Sequence, residues 1–334
     1  MSHGPTRFSG RVLKKAIHGL FNVACEKCDR CAPEIERLEA PDFARPFMAW
    51  AQIAGLVGPA VLLLTALILI PTCAVVVLAF FDWDLGDRAI HFVAFANFVE
   101  LFHDDLFWAS LGNTLLFSAV VVPVTLGLGL ALAILIEQQP AFRTFYRSVH
   151  LLPVLAAFPA MAMAWEILLH PTLGPLNEAL RALGWAPRNW LRDRELVLPA
   201  FMVIGVWQYL GIAVVLFIGG LKSIPQDLYD AAEVDGATRT LDRFFTVTLP
   251  GLGPVFVFVT TLIGLRSLEM FDMPRVLTHG GPGYSSETLL HTLFVESFVY
   301  LRTGFGAALT VIFLGLAFVF TFVRRRMDRN VHYA

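Results

Sequence analysis

The chain has 334 residues, of which 57% are hydrophobic and 16% are charged, with a formal net charge of −2 and a mean hydropathy of +0.66. Soluble proteins carry about 25% charged residues on average, so this composition excludes a soluble globular enzyme. The small net charge gives no reason to expect a nucleic acid as partner.

Long stretches without Asp, Glu, Lys or Arg recur along the chain and predict membrane helices. About 20 apolar residues cross the hydrocarbon core of a bilayer as a helix, and six stretches are long enough. The prediction is therefore an all-α polytopic membrane protein. Its six spans are predicted near 51–81, 109–137, 149–169, 196–221, 250–273 and 303–323, inside a membrane domain of 51–325 with tails 1–50 and 326–334.

The distribution of Lys and Arg predicts the orientation of these spans, because short cytoplasmic loops retain positive charge. With the N-terminus inside, seventeen Lys and Arg residues fall on the cytoplasmic side and seven on the outer side, and Arg266 lies within a span. The sequence therefore predicts a multi-pass protein of the cell (inner) membrane with both termini in the cytoplasm.

The N-terminal tail contains the pattern C-x2-C-x2-C at Cys25, Cys28 and Cys31. Three thiolates with His18 could bind zinc, but the spacing matches no complete metal-site pattern. The expectation is a tail of reduced cysteines without a metal.

The fourth predicted span carries Trp207, Gln208 and Tyr209 in succession. Aromatic rings can stack on the apolar faces of sugar rings, and Gln offers both a hydrogen-bond donor and an acceptor. These three residues are candidates for a substrate path. Ordinary core or interfacial packing is the alternative.

The connection between the fourth and fifth spans predicts two short amphipathic helices at the cytoplasmic surface. Pro225 suits the first turn of a helix, and Gly236 stands where a helix commonly ends. A second apolar segment around Leu241 to Val247 leads to Pro250. The connection could be a simple hairpin between spans, or a knob that docks into a groove on a soluble partner.

Charged residues recur at helical spacing near the end of the fifth span. Arg266 and Glu269 are spaced to form an ion pair, as are Asp272 and Arg275. Charges at membrane depth are costly and usually pair or face water. Arg266 and Glu269 are either a structural pair or a part of the substrate path.

In the outer loop that follows, Gly280, Gly281, Pro282 and Gly283 predict a tight turn.

At these residues the chain resembles a known family, the permease subunits of binding-protein-dependent ABC importers. Asp230, Ala231 and Ala232, followed by Gly236 and by Val-Thr-Leu-Pro ending at Pro250, resemble the EAA loop of that family, with Asp where Glu is usual. The resemblance is strongest to the carbohydrate-uptake type, similar to the maltose and glycerol-phosphate permeases. Four further stretches carry it, NTLLFS (113–118), FYRSVHLLP (145–153), GPLNEALRALG (174–184) and LTHGGPGYSSETL (277–289).

The resemblance implies a transport subunit rather than an enzyme, without catalytic residues, metal or cofactor of its own. It implies a second homologous permease subunit, an ATP-binding cassette ATPase dimer that binds ATP and Mg, an extracytoplasmic solute-binding protein and a sugar or polyol substrate. The residues 280–283 would face the binding protein. The residues implied to form the ATPase-coupling helix and its surroundings are Asp230, Ala231, Ala232, Asp235, Gly236, Ala237 and Pro250.

A rival class is an ion-coupled secondary transporter or an intramembrane enzyme. A coupled transporter often shows internal repeats and intramembrane acid or His relays, and only the Arg266 cluster points that way. The sequence contains no phosphate-binding GxxxxGK[ST] loop, so ATP hydrolysis would belong to a partner.

Overall fold

The structure is a computed structural model that describes residues 46–84, 86, 89–138, 145, 146, 149 and 156–328. The tail cysteines Cys25, Cys28 and Cys31 lie outside the described residues. The chain divides into two compact units, Met1–Ile70 and Pro71–Ala334. In the first unit, helix α1 (Pro46–Leu64) is followed by a π-helical turn (Thr65–Leu69).

The second unit is built almost entirely of helices, which confirms the helical class. Helix α2 enters it at the unit boundary, and a two-stranded antiparallel hairpin with Phe81 opposite Phe92 departs from the all-α prediction. The elements in chain order are α2 (Ile70–Leu78), β1 (Phe81–Asp82), β2 (His91–Phe92), α3 (Ala96–His103), α4 (Asp105–Gln138), α5 (Phe158–Leu168), α6 (Pro175–Ala182), α7 (Val197–Ser223), α8 (Gln226–Val234), α9 (Thr240–Arg243), α10 (Leu249–Gly251), α11 (Gly253–Leu268), α12 (Leu289–Phe294) and α13 (Thr303–Asp328). Further π-helical turns cover Phe244–Thr248, Pro274–Thr278 and Val295–Val299.

Four helical stretches among the described residues are long and apolar enough to cross a membrane, namely Gly55–Leu78, Asp105–Gln138, Val197–Ser223 and Thr303–Arg326. A fifth candidate is the pair Thr240–Gly251 and Gly253–Leu268, which is bent by 66° at the break. The third predicted span appears only as the 11-residue helix α5, because most of 149–155 lies outside the described residues. The count of six spans therefore stays a prediction.

The core of the second unit lies where α4 packs along α7 and where α11 joins them. Phe117 and Phe201 are fully buried in one cluster, and Phe217 and Leu252 are fully buried in a second. A β-carbon at Gly129 would lie 2.8 Å from that of Ala213. The glycine thus allows α4 and α7 to approach closely, as small residues do between membrane helices.

The turns at the hairpin end of this unit are fixed by side chains. The amide of Asn97 in α3 donates to the carbonyl oxygens of Ala79 and Phe81, at 3.0 and 2.9 Å. Arg302, just before α13, pairs with Glu100 of α3 and, at 3.3 Å, with Glu296. Burial raises the pKa of the Glu296 carboxyl, while the Arg302 guanidinium lowers it in part.

The opposite end of the core continues from α7 into the 222–250 segment.

Candidate functional site

Helix α8 forms the first half of the 222–250 segment and has a well-defined end. The amide of Ala237 donates to the carbonyl of Ala232 at 2.9 Å, and the amide of Gly236 donates to that of Glu233 at 3.1 Å. Gly236 has φ +94°. This is the Schellman arrangement, which favours glycine because a side chain is strained at positive φ. The predicted helix with a glycine stop is confirmed.

The two faces of α8 have different environments. Tyr229 and Ala232 pack towards the core cluster around Phe217, and the hydroxyls of Tyr229 and Thr248 lie 3.1 Å apart. Leu228 and Val234 point outwards, with 49% and 88% of their surface exposed. Leu228 and Val234 thus lie on the open face of the helix, away from the core cluster.

The two neighbouring alanines of the resemblance therefore have different positions. Ala231 is exposed, whereas Ala232 is half-buried against the core of its own chain. The geometry brings Ala231 to the open face together with Asp230 and Asp235, which are also exposed. Ala237 is half-buried and Pro250, in α10, is exposed.

An arginine that the sequence analysis did not single out braces this segment. Nη2 of Arg243 lies 2.9 Å from Oε2 of Glu233, and its Nε donates to the carbonyl of Ala237 at 3.0 Å. The returning helix α9 is thereby tied to the end of α8. The two charges are ten residues apart, a separation that corresponds to no regular helical pairing, so the sequence pattern gave no signal.

The substrate-path candidates lie on α7 and at the end of α11. The Tyr209 hydroxyl donates to the carbonyl of Arg266 at 3.2 Å, which joins the two helices at this level. Nη1 of Arg266 lies 4.0 Å from Oε2 of Glu269, and these side chains are 67% and 51% exposed. The structure thus brings Tyr209, Arg266 and Glu269 together, with the charged groups in an open position.

Trp207, the first of the three neighbouring candidates on α7, lies against another aromatic residue. The rings of Trp207 and Trp165 meet edge to face at 5.4 Å between centroids, and Trp207 remains 41% exposed. Gln208 is half-buried.

The expected pair between Asp272 and Arg275 is wrong. The two residues lie beyond the end of α11, in a separate helical stretch that begins at Asp272 and becomes the π-helical turn Pro274–Thr278, so the regular α-helical i, i+3 spacing does not hold between them. The Arg275 guanidinium lies 5.0 Å from the centroid of the Phe294 ring, and no ion pair joins it to Asp272 among the described residues.

The 279–292 segment contains the predicted glycine turn, and it is anchored from within. His279, Gly280 and Gly283 all have positive φ, at 51°, 82° and 54°. The amide of Asn113 on α4 donates to the carbonyls of Tyr284 and Glu287, each at 2.9 Å. The tight turn is confirmed. The residues that follow it are hydrogen-bonded to α4, more than 170 residues earlier in the chain.

A buried carboxylate lies beneath this turn. Glu287 and His291 are 6% and 2% exposed, and Nδ1 of His291 donates to Oε1 of Glu287 at 2.5 Å. Thr292 donates to the same oxygen at 3.2 Å. A β-carbon at Gly280 would fall 1.6 Å from Oε2 of Glu287. Only glycine therefore leaves room for the carboxylate, a role that spacing alone did not reveal.

A cleft opens beside the same turn. Its walls come from the 166–192 region and from the 277–282 region, and its polar residues are Glu166, His170, Asn189, Arg192, Thr278 and His279. The fully buried Asn177 holds the first wall, since its amide bonds to the carbonyls of His170, Pro171 and Arg188.

Comparison with known proteins identifies relatives along most of the chain. The sulfoquinovosyl glycerol transport system permease protein SmoG of Agrobacterium fabrum is 32% identical over 278 residues, which cover 82% of this chain and 89% of SmoG. The trehalose/maltose transport system permease protein MalF of Thermococcus litoralis is 32% identical over 238 residues, covering 71% of this chain and 80% of MalF. No protein-family model matches the chain.

The fold is also known from solved structures. A chain of a bacterial ABC transporter involved in the import of the acidic polysaccharide alginate superimposes with a TM-score of 0.73 at 21% identity, covering 85% of this chain and 96% of that chain. The helical fold, the extent of the matches and the identity to SmoG and MalF lead to one assignment. The chain belongs to the permease subunits of binding-protein-dependent ABC importers, of the carbohydrate-uptake type.

Proposed function

We propose that this chain carries a sugar or related polyol across the cytoplasmic membrane as one of two permease subunits. An ATP-binding cassette ATPase dimer with its ATP and Mg would drive transport, and an extracytoplasmic solute-binding protein would deliver the substrate. The names of SmoG and MalF, a sulfoquinovosyl glycerol and a trehalose/maltose permease, support this substrate class.

The observation that carries the proposal is the open face of α8. It combines the exposed apolar residues Leu228 and Val234 with the exposed acid Asp230, on a helix fixed at its end by Gly236 and braced by Arg243. A helix with an apolar and acidic outer face suits a groove that offers apolar walls and a basic side chain. This face, with Ala231 at its centre, would be the ATPase-coupling surface.

Substitutions on this face test the coupling role. Ala231→Trp, Asp230→Lys and Gly236→Val are expected to leave an inserted protein that loses its ATPase on purification and transports poorly. Overpacking a fitted contact costs about 1–3 kcal/mol, or roughly 5- to 150-fold in affinity. Asp230→Glu is the matched control that keeps the charge. Ala232→Trp would instead disturb the chain's own core.

The assay is co-purification of the ATPase with each variant, together with uptake of labelled sugars. If Ala231→Trp, Asp230→Lys and Gly236→Val all retain the ATPase and transport normally, the segment is only a connector.

The proposed topology has six spans, with residues 1–50, 326–334 and the 222–250 segment in the cytoplasm. The excess of Lys and Arg on those segments supports it. Reporters fused after Ala334 or within 222–243 are expected to be cytoplasmic, and reporters at 86 or 283 external. An external Ala334 would overturn this orientation.

We further propose that Trp207, Gln208, Tyr209, Arg266 and Glu269 line the substrate path. The exposure of Arg266 and Glu269 supports this role, because charges at membrane depth usually face a bundle interior or water, and these side chains do not pack into the core of their own chain. Ala variants of either residue, and the double variant, are expected to keep near-normal thermal stability but to transport poorly. Normal uptake by all three variants would remove these residues from the path.

The turn at 280–283 would face the solute-binding protein. Its anchoring by Asn113 and Glu287 supports this role, because a docking loop benefits from a fixed conformation before it meets its partner.

A further inference from the structure

Helix α3 and the residue before it carry an apolar stripe that stays largely exposed among the described residues of its unit, although the Phe95 ring meets the Phe80 ring edge to face at 5.4 Å. Phe95, Val99 and Phe102 follow one another at helical spacing, and they are 66%, 55% and 47% exposed. The opposite face of the helix is already used. Leu101 is fully buried there, and Asn97 bonds to the turn before the hairpin.

The stripe continues onto the first turn of the neighbouring span. The ring of Trp108 lies 6.2 Å from that of Phe102, and its Nε1 donates to the Phe102 carbonyl at 3.0 Å. Trp108 is 53% exposed. Phe95, Val99, Phe102 and Trp108 together form the surface called here the α3 stripe.

The connection between the two helices places the α3 stripe close to the bilayer. Helix α3 ends at His103 and the membrane-crossing helix α4 begins at Asp105, so Asp104 alone separates them. Its extended backbone ends α3, and its side chain accepts from the Leu106 amide at 2.9 Å. A helix attached by a single residue cannot move far from the membrane surface.

The position of Trp108 along α4 fixes the level of the stripe. It directly precedes the stretch 109–136, which contains no Asp, Glu, Lys or Arg. Trp is enriched where the hydrocarbon core meets the headgroups. Leu115 lies about two turns further along the same face of α4 and is 43% exposed. The α3 stripe is therefore continuous with an apolar, outward-facing surface of a membrane helix.

We infer that α3 is an interfacial helix whose stripe of Phe95, Val99, Phe102 and Trp108 rests on the bilayer, among the headgroups and upper acyl chains. Glu100, which is exposed and lies about 100° around the helix from Val99, would face water. An amphipathic helix in this position buries its apolar face without crossing the membrane. It would hold the entrance side of α4 and α13 at a fixed depth, because Glu100 also pairs with Arg302 before α13.

Site-specific fluorescence in nanodiscs tests this inference on the full-length chain. In a background with Cys25, Cys28, Cys31 and Cys73 changed to Ser, single Val99→Cys, Phe102→Cys and Glu100→Cys variants carry an environment-sensitive label. Nitroxide lipids, labelled near the headgroup or near the chain end, report contact with the bilayer, and aqueous iodide reports contact with water. Glu100 is the control on the same helix, because its side chain points away from the stripe.

Labels at 99 and 102 are expected to emit at shorter wavelength, to be quenched most by the headgroup-proximal nitroxide, and to be protected from iodide. The label at 100 should be quenched by iodide. If 99 and 102 are quenched by iodide as strongly as 100, the stripe faces water and the inference is wrong. Short-wavelength emission with neither quencher effective would show that protein covers the stripe, and would also overturn it. Phe95→Cys gives the same readout if the label at 102 prevents reconstitution.

Discussion

The 222–250 and 279–292 segments each contain a turn that requires glycine, but they use it in different surroundings. A β-carbon at Gly236 would meet no atom within 4 Å, whereas one at Gly280 would collide with the buried carboxylate of Glu287. The first turn is open and needs glycine for its backbone angle alone. The second turn packs against the Glu287 carboxylate, so it needs glycine both for its backbone angle and because a β-carbon would not fit.

This difference extends to how the segments are held. The first is braced by the partly exposed pair of Arg243 and Glu233. The second is anchored by the buried pair of Glu287 and His291 and by Asn113. The segment proposed to move with the ATPase is thus held by a partly exposed ion pair. The segment proposed to receive the solute-binding protein is held by a buried one.

Removal of the buried carboxylate is expected to have the largest effect. Glu287→Ala takes away the acceptor of both His291 and Thr292 and leaves buried donors unsatisfied, at a cost of about 1–3 kcal/mol. Thermal unfolding in detergent should show a clear drop in the apparent Tm. Glu287→Gln keeps a side-chain carbonyl in place and should lose less. An unchanged Tm for Glu287→Ala would show that the anchor contributes nothing.

Alanine at the two glycines tests the comparison directly. Positive φ costs an L-residue roughly 1–2 kcal/mol, so Gly236→Ala should destabilise the end of α8 by about that amount. Gly280→Ala should cost more, because Glu287 must also move while His291 and Thr292 hold its other oxygen. Each variant is compared with the unmodified chain by thermal unfolding. Equal losses at the two positions would contradict the proposed difference.

Loss of the exposed brace is expected to have the smallest effect on global stability. The side chains of Arg243 and Glu233 are 33% and 60% exposed, and such pairs contribute about 0.2–1 kcal/mol. Arg243→Ala should therefore leave the apparent Tm nearly unchanged but speed amide hydrogen exchange in α8 and α9. Arg239→Ala, an exposed arginine on the same segment, is the control. Unchanged exchange in Arg243→Ala would exclude the bracing role.

Several features of the fold and site were predictable because they depend on neighbouring residues. Charge-free apolar stretches predicted the long helices, although α11 is shorter than the predicted fifth span. Pro225 and Gly236 predicted both ends of α8, since helix caps are local chemistry. The bend of 66° before α11 was not predicted. It follows a π-helical turn and lies next to Pro250 and Gly251, where helical bonding is weakened.

The sequence by itself determined the membrane class, the helix over Gln226–Val234, the glycine turn at 280–283 and the family resemblance that the relatives confirm. Hydropathy, capping and motif order are properties of the linear chain. Only the tertiary structure decided that Ala231 is open and Ala232 packed, that Arg243 meets Glu233, and that Asn113 holds the 279–292 segment. These outcomes depend on which surfaces meet after folding, and contacts between residues far apart in the chain have no fixed spacing to reveal them.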